Sequence, residues 1–157
     1  MDWQQTLVYG QMVPIMASAA FTDWKYRKVF NIVSIPAIIA MIITRIFIHP
    51  QGWLFYTAAL IPALVYYIFA LFTNEVGGGD ILIVAYLGIA SGIVATLLSV
   101  INAGFVGLIL YYVEAFIGKK KPHLQQPWVS LLFIGFCIGA VQITCLKFVF
   151  PFINPWG

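Results

Sequence analysis

The sequence predicts an all-α fold, a polytopic transmembrane helix bundle of about six spans with both termini outside, and three observations carry that prediction. The 157 residues are 62% apolar and 8% charged, whereas an average soluble domain is about half apolar and about a quarter charged. So few charges cannot cover a water-facing surface of this size, and the mean hydropathy of +0.98 agrees. The apolar residues fall into stretches of about 20, the length a helix needs to cross the hydrocarbon core. Six of the eight basic residues fall in alternate interruptions between those stretches, the pattern that sets membrane orientation.

Taken in order, the first span runs from about Trp3 to Thr22 and ends at Asp23. The second covers about Asn31 to Ile48 and the third about Trp53 to Phe72. The stretch from Asp80 to Ile117 has 38 residues. As one straight helix it would be about 57 Å long, nearly twice the thickness of the hydrocarbon core, so it must turn back. Gly88 to Gly92 (Gly-Ile-Ala-Ser-Gly) is where the backbone is freest to do so. That leaves a short fourth span beginning near Asp80 and a fifth from about Ile93 to Ile117. The last runs from about Trp128 to Phe150.

With six spans, the loops at 23–30, 73–79 and 118–127 share one side. They hold Lys25, Arg27, Lys28, Lys119, Lys120 and Lys121, six of the eight basic residues. Basic loops stay in the cytoplasm, so the termini are expected outside, with Trp156 as an interfacial anchor. Arg45 and Lys147 lie near the far ends of spans, where a long side chain is expected to snorkel to the interface. The pairs Gly88/Gly92 and Gly135/Gly139 have the four-residue spacing that lets helices pack closely.

Other function classes find little support. The basic clusters are small and flanked by apolar spans, unlike a nucleic-acid footprint. Cys137 and Cys145 lie eight apart in one apolar stretch, about 12 Å on a helix and too far for a disulfide. No Cys/His pair has metal-ligand spacing, and His49 and His123 stand singly in different loops. No basic segment precedes the first apolar stretch, so it reads as a retained span rather than a cleaved signal. Residues 1–157 read as a single domain, since the longest polar stretch is Gly118 to Gln126.

The five acidic residues are the informative ones. Asp2 is terminal, while Asp23, Glu75, Asp80 and Glu114 lie in or beside the cytoplasmic half, where an ionisable group is a functional hypothesis by default. Asp23 closes an inward-running span and Asp80 opens an outward-running one, so span parity alone puts both at one depth. Two carboxylates held together cannot both ionise easily and share a proton. The ionised member can take a proton from water as it attacks a carbonyl, and the protonated member can donate to the carbonyl oxygen. The pair titrates as a unit, so neither residue has a fixed role. Gly77, Gly78 and Gly79 would let the chain adopt shapes closed to other residues and let a substrate strand approach the backbone. Simpler readings stand beside this one. Asp23 can pair with Lys25 or Arg27, Asp80 can cap a helix, the glycines can be a turn, and Glu75 can be a solvated loop acid. Glu114 reads as a partner for the nearby lysines.

The chain resembles the type IV prepilin peptidases, membrane-embedded Gly-x-Gly-Asp aspartic proteases, in an aspartate at the end of a span followed by a basic stretch and asparagine (Asp23 to Asn31) and in Gly-Gly-Gly-Asp opening an apolar helix (Gly77 to Asp80). A third, weaker likeness is Pro127 leading into the last span (Gln-Gln-Pro-Trp-Val). The resemblance implies that Asp23 and Asp80 are the catalytic pair, that Gly77, Gly78, Gly79 and, more weakly, Glu75 and Asn31 meet substrate, and that neither cofactor nor metal is needed. The implied substrate is a prepilin-like protein with a short basic leader and a hydrophobic helix, cut at the cytoplasmic face of a bacterial inner membrane. The chain looks like the short, peptidase-only type found with tight-adherence (Flp) pilus systems, without a methyltransferase region. Phe30 stands where the family usually has proline, and Leu82 where lysine is frequent. Neither departure removes a carboxylate. Two other classes compete: a non-catalytic membrane scaffold of a pilus or secretion system, which needs no two acids at one depth, and a small proton-coupled transporter, which would place its acids nearer the bilayer midplane.

Overall fold

The computed structural model describes residues 3–48, 50–73, 76–117 and 127–149. They form five helices: α1 (Trp3–Tyr26), α2 (Asn31–Phe47), α3 (Trp53–Thr73), α4 (Gly78–Phe116) and α5 (Trp128–Val149). No strand occurs among the described residues. By length and composition α3, α4 and α5 can each cross a membrane, and α2 is a shorter apolar helix. Phe69, Leu71 and Phe72 on α3 and Tyr112, Phe116 and Ile117 at the end of α4 present large apolar side chains outward. A soluble monomer rarely exposes contiguous apolar surface on this scale, whereas a bilayer supplies it with a solvent.

The first half of α4 is the central element. Ile83, Val84 and the run from Tyr86 to Gly92 are buried, as expected for a helix that is apolar all round. Around it pack Val8, Met12 and Met16 from α1, Met41 from α2 and Leu132 from α5, all fully buried. Unbranched methionine fills such irregular gaps between helices.

Gly92 breaks α4, with φ +80° and ψ 172°. The chain leaves the Asp80 end, where a Cβ on Gly79 would meet Val29 in the α1–α2 link, and reaches Arg45 of α2 and Phe55 of α3 near residues 89–92. Beyond the break it runs antiparallel to α5. Gly135 packs on Ser99 and Ala103, and Gly139, farther along α5, on Leu98 and Ser99. Because α5 starts against the C-terminal end of α1 (Ser130 Oγ donates to Ala20 O at 2.7 Å), the second half of α4 returns toward that end. The reversal expected across Gly88–Gly92 thus falls on Gly92 alone. Gly88 stays helical and serves close packing, since a Cβ there would be driven into the Ala59 carbonyl.

Arg45 corrects an expectation. It does not snorkel but is buried at 3% exposure. Its Nε donates to Ile89 O at 3.1 Å and its Nη2 to Ala90 O, and its guanidinium lies 5.0 Å from the centre of the Phe55 ring. The break at Gly92 interrupts the helical bonding of the turn before it, and Arg45 serves the carbonyls there. A snorkelling estimate weighs depth along one helix and misses this demand from its neighbour. Lys147 has no described side chain, and His49, Lys119, Lys120, Lys121, His123 and Trp156 lie outside the described residues. Cys137 and Cys145 are free thiols.

Candidate active site

Helix α1 continues one turn beyond Thr22 and ends where Arg27 adopts a left-handed conformation, φ +53°. Asp23 therefore sits in a last helical turn, where the macrodipole disfavours an anion. The fold answers by setting it against the start of another helix. Asp23 Oδ2 accepts hydrogen bonds from the backbone N–H of Val129 at 2.8 Å and of Ser130 at 3.2 Å, two of the donors that a helix N-terminus leaves unpaired. Pro127, with no N–H to satisfy, precedes this helix start. Asp23 is 6% exposed, and the Arg27 guanidinium lies within its electrostatic range.

Asp80 lies in the first turn of α4 and reaches back to its own helix start, Oδ2 accepting from Gly77 N–H at 3.2 Å. It is half-buried and within electrostatic range of Asp23. In each carboxylate it is Oδ2 that these backbone donors engage. Both acids thus stand at the same end of the bundle, one on α1 and one on α4, with the start of α5 holding Asp23.

The glycine run behaves differently from the expectation that it supplies unusual backbone shapes. Gly77 is extended, φ −72° and ψ 145°, and Gly92 is the one glycine with positive φ among the described residues. Gly79 is needed for space, because a Cβ there would lie 2.7 Å from Val29 Cβ and 2.9 Å from Val29 O. Gly78 faces open space. Asn31 opens α2 and is exposed, and the N-cap Phe30 has no side-chain capping bond. Glu75 lies outside the described residues. Glu114 is half-buried near the end of α4. Among the described residues no group of three or more His, Cys, Asp or Glu side chains is placed to hold a metal ion.

Two aromatic residues complete the site without having been singled out in the sequence. Tyr66 of α3 lies within electrostatic range of Asp80, and its ring packs on Trp128 with centroids 5.9 Å apart. Sequence pattern alone does not separate such rings from lipid-facing ones, because apolar residues surround both in the chain.

Searches of curated proteins and of solved structures returned no match. The sequence model of the type IV leader peptidase family matches residues 11–112, a range that contains both aspartates, the Gly-Gly-Gly-Asp run and the break at Gly92. It covers more than half of the chain, and the chain belongs to the type IV leader peptidase family.

Proposed function

We propose that this protein is an intramembrane aspartic endopeptidase that removes the short basic leader of type IV prepilin-like proteins, with Asp23 and Asp80 as its catalytic pair. The observation that carries the reading is the meeting of the two acids. They are 57 residues apart in a family of leader peptidases, yet within electrostatic range at one end of the bundle. A water between the two carboxyl groups would lose a proton to the ionised acid and attack the scissile carbonyl. The protonated acid would donate to the carbonyl oxygen, and the roles would reverse as the amine leaves. In this reading the break at Gly92 would divide α4 into two crossings, giving six in all, with termini outside and the Asp23 end cytoplasmic, facing a substrate whose basic leader remains in the cytoplasm. Peptidolysis of this kind needs no cofactor, and the chain would work as a peptidase only.

The test is cleavage of a co-expressed prepilin bearing a basic leader that ends in glycine. Asp23→Asn and Asp80→Asn should each lower processing by about 10²–10⁴-fold while the protein still accumulates in the membrane. Full processing by either variant would reject the mechanism. A scaffold would support assembly with both variants and yield no processed pilin, and a transporter would show proton flux in liposomes.

A further inference from the structure

The Trp128 indole N–H is buried and has no hydrogen-bond acceptor. A buried donor left unsatisfied is costly, and one that persists in a folded protein calls for a reason. Packing does not supply it. The contact between Trp128 and Tyr66 is ring against ring, which phenylalanine would serve without a stranded N–H. The position is informative, because Trp128 directly precedes Val129 and Ser130, whose N–H groups hold Asp23. Tyr66, against which it packs, is the aromatic residue in range of Asp80. The Tyr66 side chain also interacts with Trp128 electrostatically, yet it leaves the indole N–H unsatisfied. The unused donor therefore lies in the layer that joins the two acids, at the mouth of α5.

We infer that the Trp128 indole N–H is a substrate-binding donor, which pairs with a main-chain carbonyl oxygen of a peptide lying extended between Asp23 and Asp80 once Tyr66 shifts aside. An extended peptide presents carbonyls that must be paired when it leaves water, and hydrolytic sites often tighten their hydrogen bonds only when substrate is bound. The inference rests on the peptidase reading and adds to it a third contact point, supplied by a helix outside the range matched by the family.

The full-length protein in detergent and a synthetic peptide with a basic leader ending in glycine, followed by apolar residues, provide the test. Trp128→Phe keeps an aromatic ring and deletes the donor. It should lower kcat/KM by about tenfold or more with an unchanged melting temperature. The second measurement is spectroscopic. In protein carrying ¹⁵N-labelled tryptophan and the Asp80→Asn substitution, which should hold the peptide uncut, the Trp128 indole proton should move downfield on adding peptide. The corresponding signals of Trp3, Trp24 and Trp53, which are exposed, should not move. If Trp128→Phe fails to fold, the indole signal decides alone. A Trp128→Phe protein that cleaves like wild type, or an indole signal unmoved by saturating peptide, overturns the assignment while loss of activity in the aspartate variants leaves the peptidase standing. Absence of cleavage by the wild-type chain overturns both.

Discussion

Gly77, Gly78 and Gly79 are chemically identical neighbours in three different environments, so alanine at each position should have three different effects. At Gly79 a methyl group would press on the Val29 side chain at 2.7 Å and on its carbonyl at 2.9 Å. The backbone cannot yield cheaply, and Gly79→Ala should cost about 1–3 kcal/mol of stability, read as an earlier unfolding midpoint in mixed micelles. At Gly78 a methyl meets nothing within 4 Å, and alanine suits the first turn of a helix better than glycine, so Gly78→Ala should be neutral or stabilising by up to about 1 kcal/mol. At Gly77 the backbone is already extended, and the methyl would lie 3.3 Å from Asp80 Oδ2. A carboxylate can turn away, so Gly77→Ala should keep the fold and instead lower activity by displacing Asp80. Measuring stability and cleavage on the same three preparations checks all of this, and equal behaviour of the three would contradict it. Asp23 separates along similar lines. Asparagine keeps an acceptor for Val129 and Ser130 N–H, whereas alanine strands them, so Asp23→Ala should lose about 1–3 kcal/mol more stability than Asp23→Asn.

The elements turn on the junction of Arg45, Phe55 and Gly92. Gly92, at φ +80° and ψ 172°, occupies backbone space that is essentially restricted to glycine, and Phe55 would lie 3.0 Å from any Cβ there. Gly92→Ala should therefore cost at least about 1–3 kcal/mol. Arg45→Met keeps apolar length but leaves the Ile89 and Ala90 carbonyls without their donor, at a cost of about 2–4 kcal/mol. Both losses should appear as earlier thermal unfolding in detergent. Since both variants attack one junction, the double variant should lose less than the sum of the two. Sequence made the turn legible because 38 residues exceed any membrane thickness, and glycine marked the region within four residues. It could not say that Gly88 packs while Gly92 bends, because both offer the same missing side chain and the distinction lies in what faces them. Arg45 was misread for the same reason: its need is set by carbonyls on α4, 44 residues away. Five helices stand where six spans were expected, with residues 78–116 forming one element broken at Gly92. The ends were less exact, with α1 running past Asp23 because Arg27, not the acid, ends it.

For the whole molecule, the expectation that the two aspartates share one level rests on span parity, which needs only the number of chain reversals, and the structure brings the pair within electrostatic range. The third wall of the site, Val129 and Ser130 holding Asp23 with Trp128 beside Tyr66, stayed out of reach, because helix-to-helix rotation is set by packing across the bundle. The same parity makes the overall orientation testable. Gly52 lies in the α2–α3 link and Gly78 beside Asp80, and each has open space around it. Trp24, 68% exposed, adjoins Asp23. Cysteines placed singly at these three positions, in a background carrying Cys137→Ala and Cys145→Ala, report which compartment each end of the bundle faces. A membrane-impermeant thiol reagent added outside intact cells should modify Gly52→Cys, while Trp24→Cys and Gly78→Cys react only after the membrane is opened. The result depends on the odd-numbered reversals lying on the side of the basic loops, where Lys25, Arg27 and Lys28 resist export. Labelling of positions 24 and 78 from outside would invert the bundle and move cleavage away from the compartment that holds a basic leader. Labelling of those two positions from opposite sides would separate the acids altogether, and no shared proton could then connect them.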